Sequence, residues 1–137
     1  MNSFKFSELK QGLNLEFNIV ITESMMNDFL KLSGDTNPLH IDEGYAKTNG
    51  FHSRVVYGML TSSFYSQLVG VYLPGKYAFL QSISIDFIKP LYIGDKITIF
   101  GEVSGINELF KFIEIKSYIK RDSVKISRAK IKVGLFE

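Results

Sequence analysis

The first forty residues change from an alternating pattern to a helical one. Apolar side chains occupy every second position at Leu13, Leu15, Phe17, Ile19 and Ile21. This period of two predicts a half-buried β-strand. Apolar residues then follow a helical spacing between Thr22, a suitable N-cap, and Gly34, so we expect a helix over 23–33. The next segment contains Asn37-Pro38, which disfavours helix and predicts an irregular loop.

The rest of the chain predicts one long helix followed only by strands. Apolar residues between Val56 and Leu73 have helical spacing, and Pro74-Gly75 ends the pattern. Four alternating segments follow: Phe79 to Phe87, Ile97 to Val103, Ile113 to Ile119 and Ala129 to Leu135. No helical pattern separates them, so we expect an antiparallel meander. The predicted fold class is α+β, with the long helix packed on one face of a curved antiparallel sheet.

Size and composition limit the chemistry. The chain of 137 residues fits a single domain over 1–137, and 45% hydrophobic with 22% charged residues is typical of a folded protein. The absence of cysteine excludes disulfides, thiolate zinc sites and cysteine nucleophiles. Two histidines, His40 and His52, leave little for a histidine-rich metal site. Catalysis would have to use carboxylates, hydroxyls and these imidazoles.

Charge and targeting signals indicate a cytoplasmic protein without a membrane or nucleic-acid partner. Charged residues interrupt the N-terminal segment, and no apolar run is long enough for a membrane span. Eight of the sixteen Lys and Arg residues lie between Lys111 and Lys132, together with only Glu114 and Asp122. Such a block is typical of a solvated sheet face, and it could also attract an anionic ligand. It shows no nucleic-acid recognition motif and no regular interleaving of aromatic with basic residues.

The densest polar cluster lies between Ser33 and Asp42. Asp35 and His40 stand on either side of the proline in this segment, so the loop could bring them together on one water as an acid/base pair. The alternative is that Asp35 is a turn residue and His40 a structural histidine. Gly58 begins the long helix, where unpaired N–H groups can bind a developing oxyanion. Gly58 could instead serve only tight packing.

Together these segments resemble a known family. The string S-G-D-x-N-P-L-H-x-D at 33–42 and the string F-x-x-x-V-V-x-G-M-L at 51–60 look like the signature of the MaoC-like (R)-specific enoyl-CoA hydratases, also called the hydratase 2 family. The resemblance continues through Leu73-Pro74-Gly75, Ser82 to Phe87, Lys89-Pro90 and Gly94-Asp95. It implies a hot-dog fold, in which the sheet wraps the long helix. It also implies a homodimer, or a higher hot-dog oligomer, with active sites near the interface.

The resemblance further implies a reaction and roles for residues. The reaction is (R)-specific hydration of trans-2-enoyl thioesters, or the reverse dehydration of (R)-3-hydroxyacyl thioesters, carried by CoA or by acyl carrier protein. Asp35 and His40 match the catalytic pair that activates the water, and the N–H of Gly58 matches the oxyanion donor. The positions expected to bind substrate are Asn37, Tyr57, Met59 and Ser66. One water supplies both added groups, so no metal or redox cofactor is expected.

One position departs from the family pattern. The family commonly has His before Gly-Met-Leu, and this chain has Tyr57. A tyrosine can form a hydrogen bond there, but its reference pKa of about 10 keeps it neutral. His52, on an expected loop, is interpreted as a surface histidine. Two other functions stay open: a hot-dog acyl-thioester hydrolase, and a non-catalytic acyl-thioester-binding subunit, for which Tyr57 is the hint.

Overall fold

The apolar positions that alternate along the strands line one face of a single sheet in the computed structural model, which describes residues 1–136. The strands are β1 (Asn14–Val20), β2 (Ala78–Phe87), β3 (Lys96–Asn107), β4 (Phe112–Arg121) and β5 (Val124–Leu135). Their spatial order is β1-β3-β4-β5-β2, and each neighbouring pair is antiparallel.

Four α-helices lie before the second strand. They are α1 (Glu23–Ser33), α2 (Pro38–Ile41), α3 (Glu43–Thr48) and α4 (Gly58–Gln67), and a π-helical turn over Leu68–Tyr72 extends α4. The predicted ends of α1 are confirmed. The Thr22 side chain accepts a hydrogen bond from the Met25 N–H at 3.1 Å, and Gly34 ends the helix with a φ of 69°. Within residues 1–136, no helix is long and apolar enough to cross a membrane.

The α4 helix packs on the inner face of the sheet, as the sequence predicts. This face includes the fully buried side chains of Ile97, Ile99, Ile113, Ile115, Ile119 and Ile131. A hydrogen bond of 2.8 Å joins the hydroxyls of Tyr65 on α4 and Ser127 on β5. Burial raises the pKa of Tyr65 to about 12, so its hydroxyl stays protonated at neutral pH. The α+β class with one helix against a sheet is therefore confirmed.

The expected four-stranded meander is wrong at its first strand. Strands β3, β4 and β5 are consecutive neighbours, but β2 pairs with β5 and lies at an edge. Residues 88–95 cross over to β3 and are held by a hydrogen bond of 2.8 Å from the Val56 N–H to the Leu91 carbonyl. The Gly94-Asp95 turn exists, with a φ of 94° at Gly94. This turn lies at the end of the crossover and does not join two neighbouring strands. The prediction failed because a local turn motif does not determine which distant strand β2 pairs with.

The expected irregular loop is also wrong in part. The Asn37 side chain accepts a hydrogen bond from the Leu39 N–H at 3.0 Å, and Pro38 is the first residue of α2. Proline is tolerated at this position because its missing N–H would have no helical partner there. The Asp42 side chain likewise accepts from the Tyr45 N–H at 3.0 Å and begins α3. The polar cluster thus contains one capped short helix, α2, and ends at the cap of a second, α3.

Gly101 allows β3 to approach the end of the long helix. A Cβ at this position would lie 2.5 Å from a methyl carbon of Leu68, which is fully buried. We expect Gly101→Ala to lower the free energy of unfolding by about 1–3 kcal/mol, because the core is already filled. Urea denaturation measures the effect. Gly105→Ala in the same strand is the control, since its Cβ would meet only the movable carboxylate end of Glu114 at 3.1 Å. Equal losses in both variants would contradict this account of the packing.

Candidate active site

Local hydrogen bonds hold Asp35 just after α1. The hydroxyl of Ser33 donates to the Phe29 carbonyl at 2.7 Å and accepts from the Asp35 N–H at 3.1 Å. Asp35 Oδ1 accepts from the Asn37 N–H at 3.1 Å. The other carboxylate oxygen, Oδ2, has no hydrogen-bond donor in the part of the chain that the structure describes. Asp35 is therefore fixed through one oxygen and exposes the other.

The ring of His40 is oriented by the segment that precedes α4. His40 Nδ1 lies 2.7 Å from the Val55 carbonyl oxygen. A carbonyl can only accept, so Nδ1 carries the proton and Nε2 remains available. The backbone is held as well, because Arg54 Nε donates to the His40 carbonyl at 2.9 Å. His40 can therefore exchange a proton with a ligand through Nε2.

Tyr57 contacts both members of the predicted pair. Its side chain is only 2% exposed. Its ring stacks on that of His40 at a centroid distance of 4.1 Å and packs at 4.9 Å against Phe29. Its hydroxyl donates to the Asp35 carbonyl at 2.8 Å. The expected substrate-binding role of Tyr57 stays a prediction, and its contacts hold the backbone of Asp35 and the ring of His40 in place.

The electrostatics around Tyr57 keep its hydroxyl protonated. Burial raises the pKa of Tyr57, the nearby Asp35 carboxylate raises it further, and the Arg54 guanidinium lowers it. The net pKa lies above the usual value of 10.0. The hydroxyl is therefore a permanent donor to Asp35 at neutral pH.

Gly58 is the first residue of α4. Its N–H has no acceptor within residues 1–136, as is usual for the first turn of a helix. A Cβ at Gly58 would lie 2.9 Å from the ring of Phe87. The absence of a side chain therefore lets Phe87 cover this end of the helix, and the unpaired N–H remains beside it.

One cavity of about 340 Å³ brings most of the predicted site residues together. Its lining consists of Phe29, Ser33, Asp35, His40, Tyr57, Gly58, Met59 and Phe87. A second cavity of about 330 Å³ shares His40, Gly58 and Phe87 with the first. The rest of its lining is largely apolar and includes Phe51, Val55, Val56, Leu91 and Ile126. The cavity that contains Asp35, His40 and Gly58 thus adjoins a second one, with which it shares His40 and Gly58.

Asn37 and Ser66 lie outside both linings. The side-chain oxygen of Asn37 caps α2, and so supports the helix that carries His40. Ser66 is exposed on α4, eight residues after Gly58, which corresponds to about 12 Å along a helix. Met59, expected to bind substrate, is 64% exposed and lines the cavity that contains Asp35 and His40.

Sequence reasoning did not identify Phe29, Arg54 or Phe87 as site residues. The apolar patterns of α1 and β2 include the two phenylalanines, but a periodic pattern does not distinguish a cavity wall from the core. Arg54 donates a hydrogen bond to the backbone carbonyl of His40, fourteen positions away. No local sequence pattern predicts that contact.

The fold and this cavity define a hot-dog domain with a polar pair at the start of its central helix. The family model described as "MaoC like domain" matches residues 5–125. The chain belongs to this family.

Individual relatives agree with this assignment. The chain is 37% identical over 112 residues to an (R)-specific enoyl-CoA hydratase of Rhodospirillum rubrum, a match that covers 82% of this chain and 78% of the relative. It is 35% identical to a mitochondrial 3-hydroxyacyl-[acyl-carrier-protein] dehydratase of Arabidopsis thaliana, over 85% of this chain and 66% of the relative. The solved structure of an (R)-hydratase from A. caviae involved in PHA biosynthesis superposes with a TM-score of 0.88 at 30% identity, and covers 93% of this chain and 97% of that one.

The raised pKa of Tyr57 leads to a pH-dependent stability. In the unfolded chain a tyrosine loses its proton near pH 10, whereas native Tyr57 keeps it to higher pH. The native state then binds more protons, so the free energy of unfolding should fall as the pH rises above about 10. We expect Tyr57→Phe to make this fall shallower in urea titrations at pH 9 and pH 10.5. Tyr45→Phe, at an exposed ring, is the control, and an unchanged slope in Tyr57→Phe would refute the prediction.

Proposed function

We propose that the protein adds water across the double bond of trans-2-enoyl thioesters to give (R)-3-hydroxyacyl thioesters, and also catalyses the reverse dehydration. The main observation in support of this proposal is the cavity whose lining includes Asp35, His40 and Gly58. The (R)-specific hydratases and the dehydratase among the relatives support the same reaction.

The start of α4 would activate the substrate. The thioester carbonyl oxygen accepts a hydrogen bond from the unpaired Gly58 N–H, and the partial positive charge of the helix N-terminus adds to this attraction. Both effects strengthen as negative charge develops on the oxygen. Withdrawal of electrons from the conjugated system makes the β-carbon electrophilic.

Asp35 and His40 would hold the water that attacks this carbon. Within residues 1–136, Asp35 Oδ2 and His40 Nε2 are the polar side-chain atoms of the pair without a protein partner. Together they deliver the hydroxyl group to the β-carbon and a proton to the α-carbon, and the reverse reaction releases the same water. One water supplies both groups without electron transfer, so we propose that neither a metal nor a redox cofactor takes part.

The acyl group would arrive as a thioester of CoA or of an acyl carrier protein. The names of the relatives include both carriers: enoyl-CoA for the Rhodospirillum rubrum protein, and acyl carrier protein for the Arabidopsis thaliana protein. We propose a cytoplasmic location, where both types of thioester are made and consumed.

We also propose that two copies of the chain pair through β2. This strand lies at the sheet edge, so one row of its backbone groups has no strand partner. Apolar side chains stand exposed along it, with Leu80 at 46%, Ile83 at 36% and Phe87 at 57%. Long apolar edges of this kind readily pair with another strand. Because Phe87 also lines both cavities, the partner subunit would lie beside the active site.

Removal of either catalytic group should abolish turnover without unfolding the protein. We expect Asp35→Asn and His40→Gln each to reduce kcat by about 10²- to 10⁴-fold, the usual range for a lost acid or base. Loss of the enoyl absorbance of crotonyl-CoA measures the rate. Asp28→Asn and His52→Gln, at exposed positions, are the matched controls and should retain activity.

Two results would contradict the proposed reaction. One is the absence of turnover by the wild type on enoyl thioesters of any chain length and with either carrier. The other is release of free thiol without hydration, which would instead identify a thioester hydrolase. Binding of thioesters without turnover, unchanged by Asp35→Asn, would identify a non-catalytic subunit.

Pairing through β2 can be tested separately. We expect Ile83→Glu to convert a dimer into a monomer, because a carboxylate would replace an apolar contact at the strand edge. Light scattering after size-exclusion chromatography gives the mass. Val124→Glu, in the β4–β5 hairpin at an apolar residue that is also exposed, should leave the dimer intact. A wild-type monomer, or a dimer that Ile83→Glu leaves unchanged, would overturn this arrangement.

A further inference from the structure

The outer face of β4 and β5 concentrates positive charge. Its cations are Lys116, Lys120, Lys125, Arg128, Lys130 and Lys132, and the acid on the same face of these two strands is Glu114. Alternate residues of both strands point to this side, away from α4, and a register shift between Ile119 and Lys120 brings Lys125 opposite Lys120 on the same side. The clustering seen in the sequence is thus a single surface.

Most of this charge is not neutralised by ion pairs. Lys116 lies directly opposite Lys130 on the neighbouring strand, an arrangement of like charges that destabilises a sheet. Neither lysine forms an ion pair within residues 1–136. Among the described residues, Arg128 is the one cation of this face with an ion pair, at 3.0 Å from Asp86 on β2. The repulsion between Lys116 and Lys130 therefore lowers stability, and the packing of the core does not need either lysine.

The charged surface is concave and partly aromatic. Two adjoining cavities of about 600 Å³ and about 470 Å³ share Ser84, Lys116 and Lys130. Phe100 and Tyr118 lie in the larger one, with stacked rings 4.7 Å apart. We call the two cavities together the basic groove. It offers cations at its centre and an apolar surface beside them.

We propose that the basic groove docks an acidic acyl carrier protein, which delivers the thioester to the active site. This inference rests on the proposed function. Charge complementarity favours such a partner, since cations attract a negatively charged protein surface and orient it. The acids Asp86, Glu102 and Glu114 also line the groove. They would repel a continuous phosphate backbone, but a protein can place basic or neutral side chains opposite them.

The groove lies close to the active-site cavities. Asp86 and Arg128 line the groove. Their chain neighbours, Phe87 after Asp86 and Ser127 before Arg128, line the cavity of about 330 Å³ on the other side of the sheet. A carrier protein bears its acyl group on a flexible phosphopantetheine arm. From the groove this arm has only to pass the end of β2 to reach Gly58.

Reversal of one central charge tests the docking. Lys130→Glu places a carboxylate opposite Lys116, which relieves the repulsion, so the variant should fold at least as stably as the wild type. We expect kcat/KM for crotonyl-acyl carrier protein to fall about tenfold, mainly through KM, while kcat/KM for crotonyl-CoA changes less than about twofold. Lys10→Glu makes the same change in net charge at an exposed loop position and should leave both substrates unaffected.

A second pair of variants removes charge without reversing it. Lys116→Gln/Lys130→Gln should reproduce the selective loss on the carrier-bound substrate, and Lys10→Gln/Lys96→Gln is its control. Unchanged turnover of the carrier-bound substrate, or an equal loss with the Lys10 controls, would overturn the proposal. An equal loss on crotonyl-CoA would also overturn it, because the groove would then recognise a feature shared by both thioesters.

Different measurements test the proposed docking and the proposed reaction. Turnover of crotonyl-CoA by the wild type reports on the reaction alone. If it is absent, binding of the carrier protein to wild type and to Lys130→Glu, measured by fluorescence anisotropy, still decides the docking. Binding of a labelled RNA oligonucleotide that Lys130→Glu abolishes, with carrier binding unchanged, would assign the groove to nucleic acid and overturn the proposal.

Discussion

The contact of Tyr57 with both Asp35 and His40 is the interaction on which the site depends. The two predicted catalytic residues stand on a short capped segment that has little buried surface of its own. Tyr57 is buried, and it holds the backbone of one residue and the ring of the other. At the position where the resemblance implies a histidine, this chain thus has a hydroxyl donor that is neutral near pH 7. The donor to Asp35 does not titrate near neutrality, so the positioning is independent of pH in that range.

The core of the protein also fixes the position of Gly58, the expected oxyanion donor. Gly58 follows Tyr57 directly and begins α4, so any shift of the helix moves the N–H relative to Asp35 and His40. The helix is anchored by the buried hydrogen bond between Tyr65 and Ser127, and its π-helical extension by the close approach of Leu68 to Gly101. Small misplacements of reacting groups lower rates steeply. The sheet therefore helps to hold the proposed catalytic groups in place.

The sequence predicts those features whose signals are local. Thr22 and Gly34 mark the ends of α1 correctly, and the two motif strings identify Asp35, His40 and Gly58, which the structure places in one cavity. It misleads at Pro38, because a proline that usually ends a helix here begins one. The partner of β2 and the burial of Tyr57 are non-local: the Tyr57 hydroxyl bonds a residue 22 positions away. Packing between distant segments determines the partner of β2 and the burial of Tyr57, and no periodic sequence pattern predicts such packing.

The two faces of the sheet are subject to different constraints. The inner face is filled with isoleucine side chains against α4, so a substitution there disturbs the helix and with it the site. The outer face carries exposed lysines whose mutual repulsion the core must offset. Residues on that face can change without altering the cavity that contains Asp35 and His40. Recognition of a partner can therefore vary on one side of the sheet while the chemistry on the other side stays the same.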